Sequence, residues 1–434
     1  MLAGSTLPVS LLAVAQVLRC CFTAPSFEVF THLLAGMVTT RGPRTVTGML
    51  TGAGLSRSWS HHRVHRFFSR AAWDPRAVGL ALAGAVIEAL VPAGADVRVA
   101  VDDTLLRRRG KKVWLALWTH DGSARSQEKI GFGNTWVVLA ILVDLPFCSR
   151  PVALPVLARL WRGKDTASRS ELALRMVTDL KSVVGQRIVH VVADAAYHHP
   201  SVAALPAGAT WTTRLAANAA LHGPAPARTG KRGRPRKKGT PLGTLIQIAA
   251  GATWRAVRVQ RYGQSAEVRL AEQRVQWYGP WKDLPVRLIL LRDTSKYYDL
   301  ALITTDLTTP IEDIISRYAA RWTIEVVFAQ MRQNLGVGQA RNRTPRAVER
   351  TVPFGLTVYT LVIYWYAQHG NPTGDITAHR ARSPWYTRKT EVSFQDMTDT
   401  LRHVIIAARF TPTSPRQATN EEILAVTTAW AQAA

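Results

Sequence analysis

The sequence predicts a protein of the α/β class with a helical N-terminal part, and three observations support this prediction. Apolar residues recur at helical spacing through most of residues 1–94. From Asp96 onward the pattern changes to short strand-like runs separated by helical segments. Residues 206–298 then carry further strand-like runs with little helical periodicity. Strands and helices that follow one another along a chain are typical of α/β folds.

Composition places the chain among globular proteins that bind a polyanion. It has 434 residues, 47% of them hydrophobic, and 55 Lys and Arg against 29 Asp and Glu give a net charge of +26. This length predicts two or three domains, and this charge indicates nucleic acid as the partner. The 3 cysteines form neither a disulfide scaffold nor a zinc motif, which fits a reducing cytoplasm.

Two apolar runs near the ends of the chain are predicted to be buried helices. Residues 7–22 lack a basic leader and are interrupted by Arg19, so they do not resemble a signal peptide. Residues 354–367 are too few to span a bilayer comfortably. We therefore expect a soluble protein of the cytoplasm, associated with the nucleoid and not with a membrane.

The first 94 residues contain a segment of mixed basic and aromatic character. Helices are predicted over residues 7–22, 27–37 and 78–91 from their apolar spacing. Residues 56–70 combine Arg and His side chains with interleaved Trp and Phe. A helix of this kind presents a basic face to DNA, or it packs its apolar face in the core and leaves a solvated basic side.

The next part of the chain is predicted to alternate strands with one helix. Its strand-like runs are residues 97–101, 113–119, 135–143, 152–157 and 187–193. A helix is predicted over 168–184, because Ser168, Ser170 and Glu171 suit a helix N-terminus.

A basic, Pro- and Gly-rich loop over residues 223–239 precedes a second group of elements. Strand-like runs follow it at 253–259, 267–275, 286–291 and 300–304. Pro310 at the first turn and Gly336 after the end predict one long helix over 311–334. A further helix is expected at 347–367, and a polar tail with one or two helices follows from about residue 370.

Three acidic positions point to metal chemistry. Asp102 and Asp103 are predicted to end one apolar strand, Asp194 ends another, and Glu325 lies in an apolar helical stretch. Carboxylates at the ends of adjacent strands meet at one sheet edge, and with a third from a helix they can hold two hard cations. Each acid taken alone is equally compatible with a turn cap or an Arg partner.

The helix that carries Glu325 has a polar face. Tyr318, Arg321, Glu325 and Arg332 project from one side at about 3.6 residues per turn. We therefore expect Glu325 to bind a metal ion, and Arg321 and Arg332 to bind phosphate. The alternative is an exposed helix face with an Arg–Glu pair four residues apart.

These motifs together resemble the DDE transposases of bacterial insertion sequences, in particular the insertion-sequence-four-like branch with its Tyr-Arg-Glu-Lys signature. Val101–Thr104 resembles the first motif of that family, and residues 191–197 resemble the second. Residues 318–332 resemble the third, except that Arg332 stands where the family usually has Lys. The resemblance extends over about residues 95–345.

The resemblance implies an RNase H-like catalytic core interrupted by a β-rich insertion. Asp103, Asp194 and Glu325 would be the catalytic, metal-binding triad, with two Mg²⁺ or Mn²⁺ ions. Asp103 is preferred because the family places Thr directly after the catalytic Asp, and Asp102 is the alternative, on the opposite strand face. The implied organisation is a helical DNA-end-binding domain (1–94), the core in two parts (95–205 and 299–369), the insertion (206–298) and a C-terminal tail, helical in part (370–434).

The resemblance also implies the reaction and its DNA partners. The enzyme would cut the ends of a mobile element and join them to target double-stranded DNA, acting as a homodimer. Trp254, Trp277 and Trp281 are candidates for stacking a flipped base, although core packing explains a buried Trp equally well. The alternatives are a metal-dependent endonuclease without strand transfer and a domesticated DNA-binding protein without catalysis.

The basic loop contains a segment that resembles an AT-hook. Its candidate DNA-binding residues surround an Arg-Gly-Arg-Pro core: Arg232, Arg234, Arg236, Lys237 and Lys238. Extended Arg side chains on a narrow backbone can enter an A·T-rich minor groove, where the potential is most negative. A loop that contacts phosphates without sequence preference is the alternative.

Overall fold

The computed structural model describes residues 7–122, 129–226, 236–409, 419–422 and 424. Its β-strands are β1 Val97–Arg107, β2 Leu117–His120, β3 Ile130–Val143, β4 Val152–Leu160, β5 Val189–Ala193, β6 Ala209–Arg214, β7 Arg255–Arg261, β8 Gln264–Gln276, β9 Pro285–Arg292 and β10 Leu300–Thr304. Its α-helices are α1 Val9–Gln16, α2 Ala24–Thr39, α3 Val46–Gly52, α4 His61–Ser69, α5 Pro75–Leu90, α6 Arg169–Val184, α7 Leu245–Ala250, α8 Tyr278–Trp281, α9 Ile311–Ala320, α10 Thr323–Gln333, α11 Pro345–His369, α12 Pro372–Arg382 and α13 Phe394–Arg409.

The strands form one mixed sheet, so the predicted α/β class is confirmed. Strand β1 is an inner strand of this sheet, antiparallel to β3 on one side and parallel to β5 on the other. Strand β6 continues the parallel part next to β5, and β4 pairs with the far side of β3. Three antiparallel strands followed by two parallel to the first is an order consistent with an RNase H-like DDE domain.

The strands of the β-rich segment extend this same sheet. Strand β10 pairs with β6, and β9, β8 and β7 follow in that order as antiparallel neighbours. A small apolar cluster between these strands and α9 contains Ile289, Leu302 and Ile314. The segment is therefore joined to the central sheet by backbone hydrogen bonds, and α9 covers its extension.

Helix α11 connects the N-terminal helices to the sheet. Nearly all of its residues are buried, which identifies it as a core helix. The Arg350 guanidinium donates hydrogen bonds to the carbonyl oxygens of Phe68 and Trp73, and Thr360 Oγ1 donates to that of Pro155 on β4. The N-terminal helices and the sheet thus share a hydrophobic core across α11. Within the described residues, none of the helices has the length and apolar character needed to cross a membrane.

Several predicted elements are confirmed with adjusted ends. Helix α6 begins as expected, because Ser168 and Glu171 form a complete capping box. The predicted strand over 113–119 is wrong in its first half, and only Leu117–His120 is a strand. Leu115 has φ 54°, in the left-handed region, and the Trp114 N–H donates to the Arg343 carbonyl, so the chain turns here before it pairs with β3.

Two further expectations are corrected close to the acidic residues. Asp102 and Asp103 do not end their strand, because β1 stays paired with β3 as far as Arg107. The single helix predicted over 311–334 is two helices, α9 and α10. At their junction the amides of Arg321, Ile324 and Glu325 bond to carbonyls three residues earlier, which tightens the backbone into a 3₁₀-like turn.

Candidate active site

The acidic site lies on one face of the sheet, beneath α10. Strands β1 and β5 are parallel, and Val101 is in register with Ala193. Asp102 and Asp194 follow these paired residues, so their backbones emerge side by side. Helix α10 crosses the same face, because Arg332 Nη1 donates to Thr104 Oγ1 at 3.1 Å. Asp102 and Thr104 share a face of β1, and both are directed toward the helix that carries Glu325.

Arg321 joins the carboxylates on this face. Its Nη1 donates to Asp102 Oδ2 at 3.0 Å, and its Nη2 donates to Glu325 Oε1 at 3.0 Å. Burial lowers the pKa of Arg321, but the charges of Asp102, Tyr318, Asp194 and Glu325 outweigh this effect and raise it overall. The Arg321 guanidinium therefore lies where the fields of three carboxylates add.

The pKa of Asp102 is strongly raised. Burial raises its pKa to about 7 from the ordinary 3.8, against the opposing effects of Arg321 and of the Asp103 backbone N–H. The negative charges of Asp103 and Asp194 raise it further. A buried carboxylate near other carboxylates is unfavourable when ionised unless a cation is close to it. Asp102 is thus in an environment that favours a bound positive charge.

Asp103 points to the opposite face of β1, toward α6. Its Oδ2 accepts a hydrogen bond from Arg169 Nη1 at 2.9 Å, and its Oδ1 accepts one from the Tyr197 hydroxyl at 2.9 Å. Tyr197 is fully buried, and burial followed by the Asp103 charge raises its pKa well above 10. Both oxygens of Asp103 are therefore occupied by protein donors, away from Arg321 and Glu325.

Asp194 begins a turn that holds its backbone firmly. Its carbonyl accepts hydrogen bonds from the Tyr197 N–H and from Thr213 Oγ1. Among the described residues, no hydrogen bond or ion pair occupies the Asp194 carboxylate. Its charge nevertheless contributes to the pKa values of Asp102 and Arg321, so this free carboxylate belongs to the same electrostatic cluster.

Tyr318 completes the polar face next to Asp194. Burial raises the pKa of its hydroxyl to about 12, with a smaller contribution from Asp194 in the same direction. The charges of Arg321 and Arg214 oppose this rise. Although the predicted helix is broken after α9, Tyr318, Arg321, Glu325 and Arg332 still face the sheet together.

The oxygen donors suit a hard divalent cation, but they are not arranged around one in this conformation. No group of three or more His, Cys, Asp or Glu side chains within the described ranges is positioned to hold a metal ion. The reason is visible in the contacts, since the Arg321 guanidinium binds both Asp102 and Glu325. The cluster supplies oxygen ligands and a negative potential, both of which favour a bound cation. In this conformation the positive charge of Arg321 occupies that position.

The three tryptophans singled out for base stacking differ in accessibility. Trp281 is fully buried, so neither face of its ring is open to a base. Trp277 is also buried, and its ring lies 5.4 Å from that of His198, in the turn that follows Asp194. Trp254 is half-buried, with the Arg292 guanidinium 4.3 Å from its ring centre. For Trp281, at the end of α8, this burial favours the alternative of core packing.

The basic loop is described only in part. Arg232 and Arg234, the centre of the predicted AT-hook, lie outside the described residues. Arg236, Lys237 and Lys238 are exposed. Lys237 pairs with Asp283 at 3.2 Å, and Lys238 Nζ lies 5.5 Å from the Tyr278 ring centre.

Sequence reasoning missed the residues that orient the acidic pair on β1. Arg169 and Tyr197 hold Asp103, and Arg214 at the end of β6 acts on Tyr318. The signal for Tyr197 is its place at the end of the second motif, three residues after Asp194. Arg169 gave no signal, because an Arg after an N-cap Ser is an ordinary start of a helix.

The fold carries an acidic cluster on one face of its sheet, in a strongly basic chain. The model of the DDE superfamily endonuclease family matches residues 17–283, which is more than half of the chain. The protein therefore belongs to the DDE superfamily endonucleases, a group that generally uses divalent metal ions and acts on DNA. A second family model, described as archaeal putative transposase ISC1217, matches residues 246–344 and includes Glu325. No curated protein matches the chain.

Proposed function

We propose that this protein is the transposase of an insertion sequence, which cuts the ends of the element and joins them to target DNA. The observation that carries the proposal is the convergence of Asp102, Asp194 and Glu325 on Arg321. Membership of the DDE endonuclease family and the match to a transposase model support DNA cleavage as the underlying reaction. The net charge of +26 supports a DNA substrate.

The proposed metal ligands are Asp102, Asp194 and Glu325, with two Mg²⁺ or Mn²⁺ ions. The resemblance favours Asp103 over Asp102, but the contacts favour Asp102, because it shares Arg321 with Glu325, whereas Asp103 faces α6 and binds Arg169 and Tyr197. Divalent cations at such a site polarise the scissile phosphate and offset the charge that develops during phosphoryl transfer. To make room, Arg321 would release Asp102 and Glu325.

Arg321, Arg332 and Tyr318 are proposed to contact DNA phosphates. An arginine freed from two carboxylates keeps its charge and its planar set of donors, which match the geometry of a phosphate. Arg321 would then hold the strand that displaces it from the acids. The 3₁₀-like turn at the start of α10 lies at the residue that has to move, and such turns inside helices are frequent at hinges.

The proposal also assigns a role in DNA processing to each part of the chain. The central strands form an RNase H-like core, β7–β9 form the insertion, and the N-terminal helices bind the element ends. The loop with Arg236, Lys237 and Lys238 is proposed to bind the minor groove near A·T pairs. Trp254 is the proposed stacking residue, because Trp277 is buried like Trp281, and a homodimer would hold two ends together.

Cleavage of the DNA that flanks the gene tests this function. Wild-type protein with Mg²⁺ is expected to cut these ends and to join them to a target plasmid. Glu325→Ala should abolish cleavage but retain binding in a mobility-shift assay, whereas Asp313→Ala, an exposed acid on α9, serves as the matched control and should cut normally. Unchanged cleavage by Glu325→Ala would refute the site, and cutting without joining would favour an endonuclease that performs no strand transfer.

A further inference from the structure

Residues 379–389, at the end of α12 and in the loop beyond it, expose two large aromatic side chains. Trp385 is 71% exposed and Tyr386 is 58% exposed. They are consecutive and their ring centres lie 6.2 Å apart. Large aromatic side chains that are exposed and grouped on one surface are typical of interaction sites. We call residues 379–389 the 379–389 surface.

This surface is held in place by a buried carboxylate. Asp396, at the start of α13, accepts hydrogen bonds from Lys389 Nζ at 2.7 Å and from the Ser393 N–H at 2.7 Å. His379 Nδ1 lies 3.1 Å from the other oxygen of Asp396. Arg380 Nη2 donates to the Lys389 carbonyl at 2.5 Å. Both ends of the surface are thus anchored, and the exposure of the aromatic rings is a property of a fixed loop.

The charge of the 379–389 surface indicates a polyanion. It contains Arg380, Arg382, Arg388 and Lys389, and none of its residues is acidic. Asp396 balances Lys389, which leaves the three arginines of the surface without an acidic side chain in the same stretch of sequence. Exposed aromatic rings beside arginines suit nucleotides, whose bases stack on the rings and whose phosphates bind the guanidiniums.

The surface is connected to the helix that carries Glu325 through a short series of packed side chains. Phe394, two residues before Asp396, stacks on Tyr359 of α11 with ring centres 4.2 Å apart. The Tyr359 hydroxyl donates to Gln330 Oε1 on α10 at 2.6 Å. Residues 391–394 also line a cavity of about 210 Å³ together with α10 residues. The segment that follows the surface therefore packs against α10, the helix that carries Glu325.

We propose that the 379–389 surface binds DNA through unpaired bases, with a base stacked on Trp385 and the neighbouring phosphates on Arg382 and Arg388. The proposal rests on the DNA-processing function above and adds a second contact outside the acidic site. Unpaired bases are specified because the faces of bases within a duplex are already stacked and cannot reach an indole. The three unbalanced guanidiniums favour DNA over a protein partner at this position.

The test measures binding without catalysis. A fluorescein-labelled 20-nucleotide single strand and the duplex of the same sequence are titrated in EDTA, and binding is followed by anisotropy. Trp385→Ala is expected to weaken single-strand binding by roughly 5- to 150-fold, the range for loss of one stacked base, and to change duplex binding little. Trp385→Phe should restore most of the affinity. Trp118→Ala, at a site that is 72% exposed elsewhere on the sheet, is the matched control.

The charged part of the proposal has its own readout. Arg382→Gln and Arg388→Gln are each expected to reduce the slope of log affinity against log salt for the single strand by about 0.7. Equal affinities for Trp385→Ala and wild type would overturn the proposal, and so would an equal loss in Trp118→Ala. If Trp385→Ala kept its affinity for the single strand but had half the wild-type mass in light scattering, the surface would be an interface between protein chains. That result would also overturn the proposal. Failure of the proposed transposase function would show separately, as absent Mg²⁺-dependent cleavage.

Discussion

Replacing Arg108 tests how the segment after α10, the helix that carries Glu325, is fixed to the sheet. Arg108 follows β1 and is buried. Its Nε donates to Asn134 Oδ1 at 2.9 Å, and its Nη1 donates to the carbonyls of Gly338 at 3.1 Å and Ala340 at 2.7 Å. These two carbonyls belong to the chain just beyond α10. One side chain thus joins the end of β1, strand β3 and the exit of the Glu325 helix.

The expected loss follows from the groups that would be left without partners. Arg108→Met keeps the length of the side chain but removes all three hydrogen bonds, and it leaves two carbonyls and the Asn134 amide oxygen without their donor. Each buried unsatisfied group costs about 1–3 kcal/mol. The variant no longer buries a guanidinium, whose pKa burial lowers, and this relief offsets part of the loss. We expect a net destabilisation of about 3–5 kcal/mol.

Urea unfolding followed by circular dichroism measures this loss. Arg109→Met is the matched control, because Arg109 is the next residue, carries the same charge and is exposed. Its free energy of unfolding should lie within about 0.5 kcal/mol of the wild-type value. A free energy of unfolding for Arg108→Met that equals the value for Arg109→Met would refute this explanation of how α10 is held.

Three further predictions concern stability and DNA binding. Burial lowers the pKa of His190 below 6.5 in the folded protein, so the unfolded chain binds a proton at this residue more readily. The free energy of unfolding should therefore fall as the pH drops below about 6.5, and His190→Gln should weaken this pH dependence in thermal unfolding. Trp281→Ala should lose about 3–5 kcal/mol in urea unfolding, because the ring is fully buried, whereas Trp322→Ala, with a side chain 51% exposed, should lose less than about 1 kcal/mol. Arg236→Gln combined with Lys238→Gln should lower the salt slope of duplex binding by about two, and an unchanged slope would contradict a phosphate contact there.

Much of the sheet could be predicted because its strands have strong local patterns. Residues 97–101 and 187–193 are apolar runs followed directly by acids, and the strands within them pair in parallel, which places Asp102 next to Asp194. The start of α6 was predictable for a similar reason, since a capping box is a local interaction between a hydroxyl, a carboxylate and two amides. The apolar runs and the capping box depend on neighbouring residues only.

The choice between Asp102 and Asp103 could not be made from local patterns. Consecutive strand residues face opposite sides, so one of the two must point away from Glu325, but only the packing of the helices decides which. Helix α10 covers the side of Asp102, and α6 brings Arg169 to the side of Asp103. The Thr that follows in the sequence favoured Asp103, whereas in the structure Thr104 itself contacts Arg332 on the Asp102 side.

The break between α9 and α10 was hidden for a related reason. Residues 311–334 are compatible with one helix at every position, and they contain neither Gly nor an internal Pro. The turn at Arg321 depends on contacts with distant residues, since Arg321 is drawn to Asp102 on β1. The continuation of the central sheet into β7–β10 is likewise set by pairing between strands far apart in the chain.

Cleavage by the two neighbouring aspartate variants tests the central claim most directly. Asp102→Asn and Asp103→Asn are compared with wild type on element-end DNA in Mg²⁺, at equal DNA occupancy. We predict that Asp102→Asn loses more than about 100-fold in cleavage rate, as expected for a direct ligand, while Asp103→Asn loses about tenfold or less through Arg169 and Tyr197. The reverse order, with Asp103→Asn inactive and Asp102→Asn active, would contradict the proposed site.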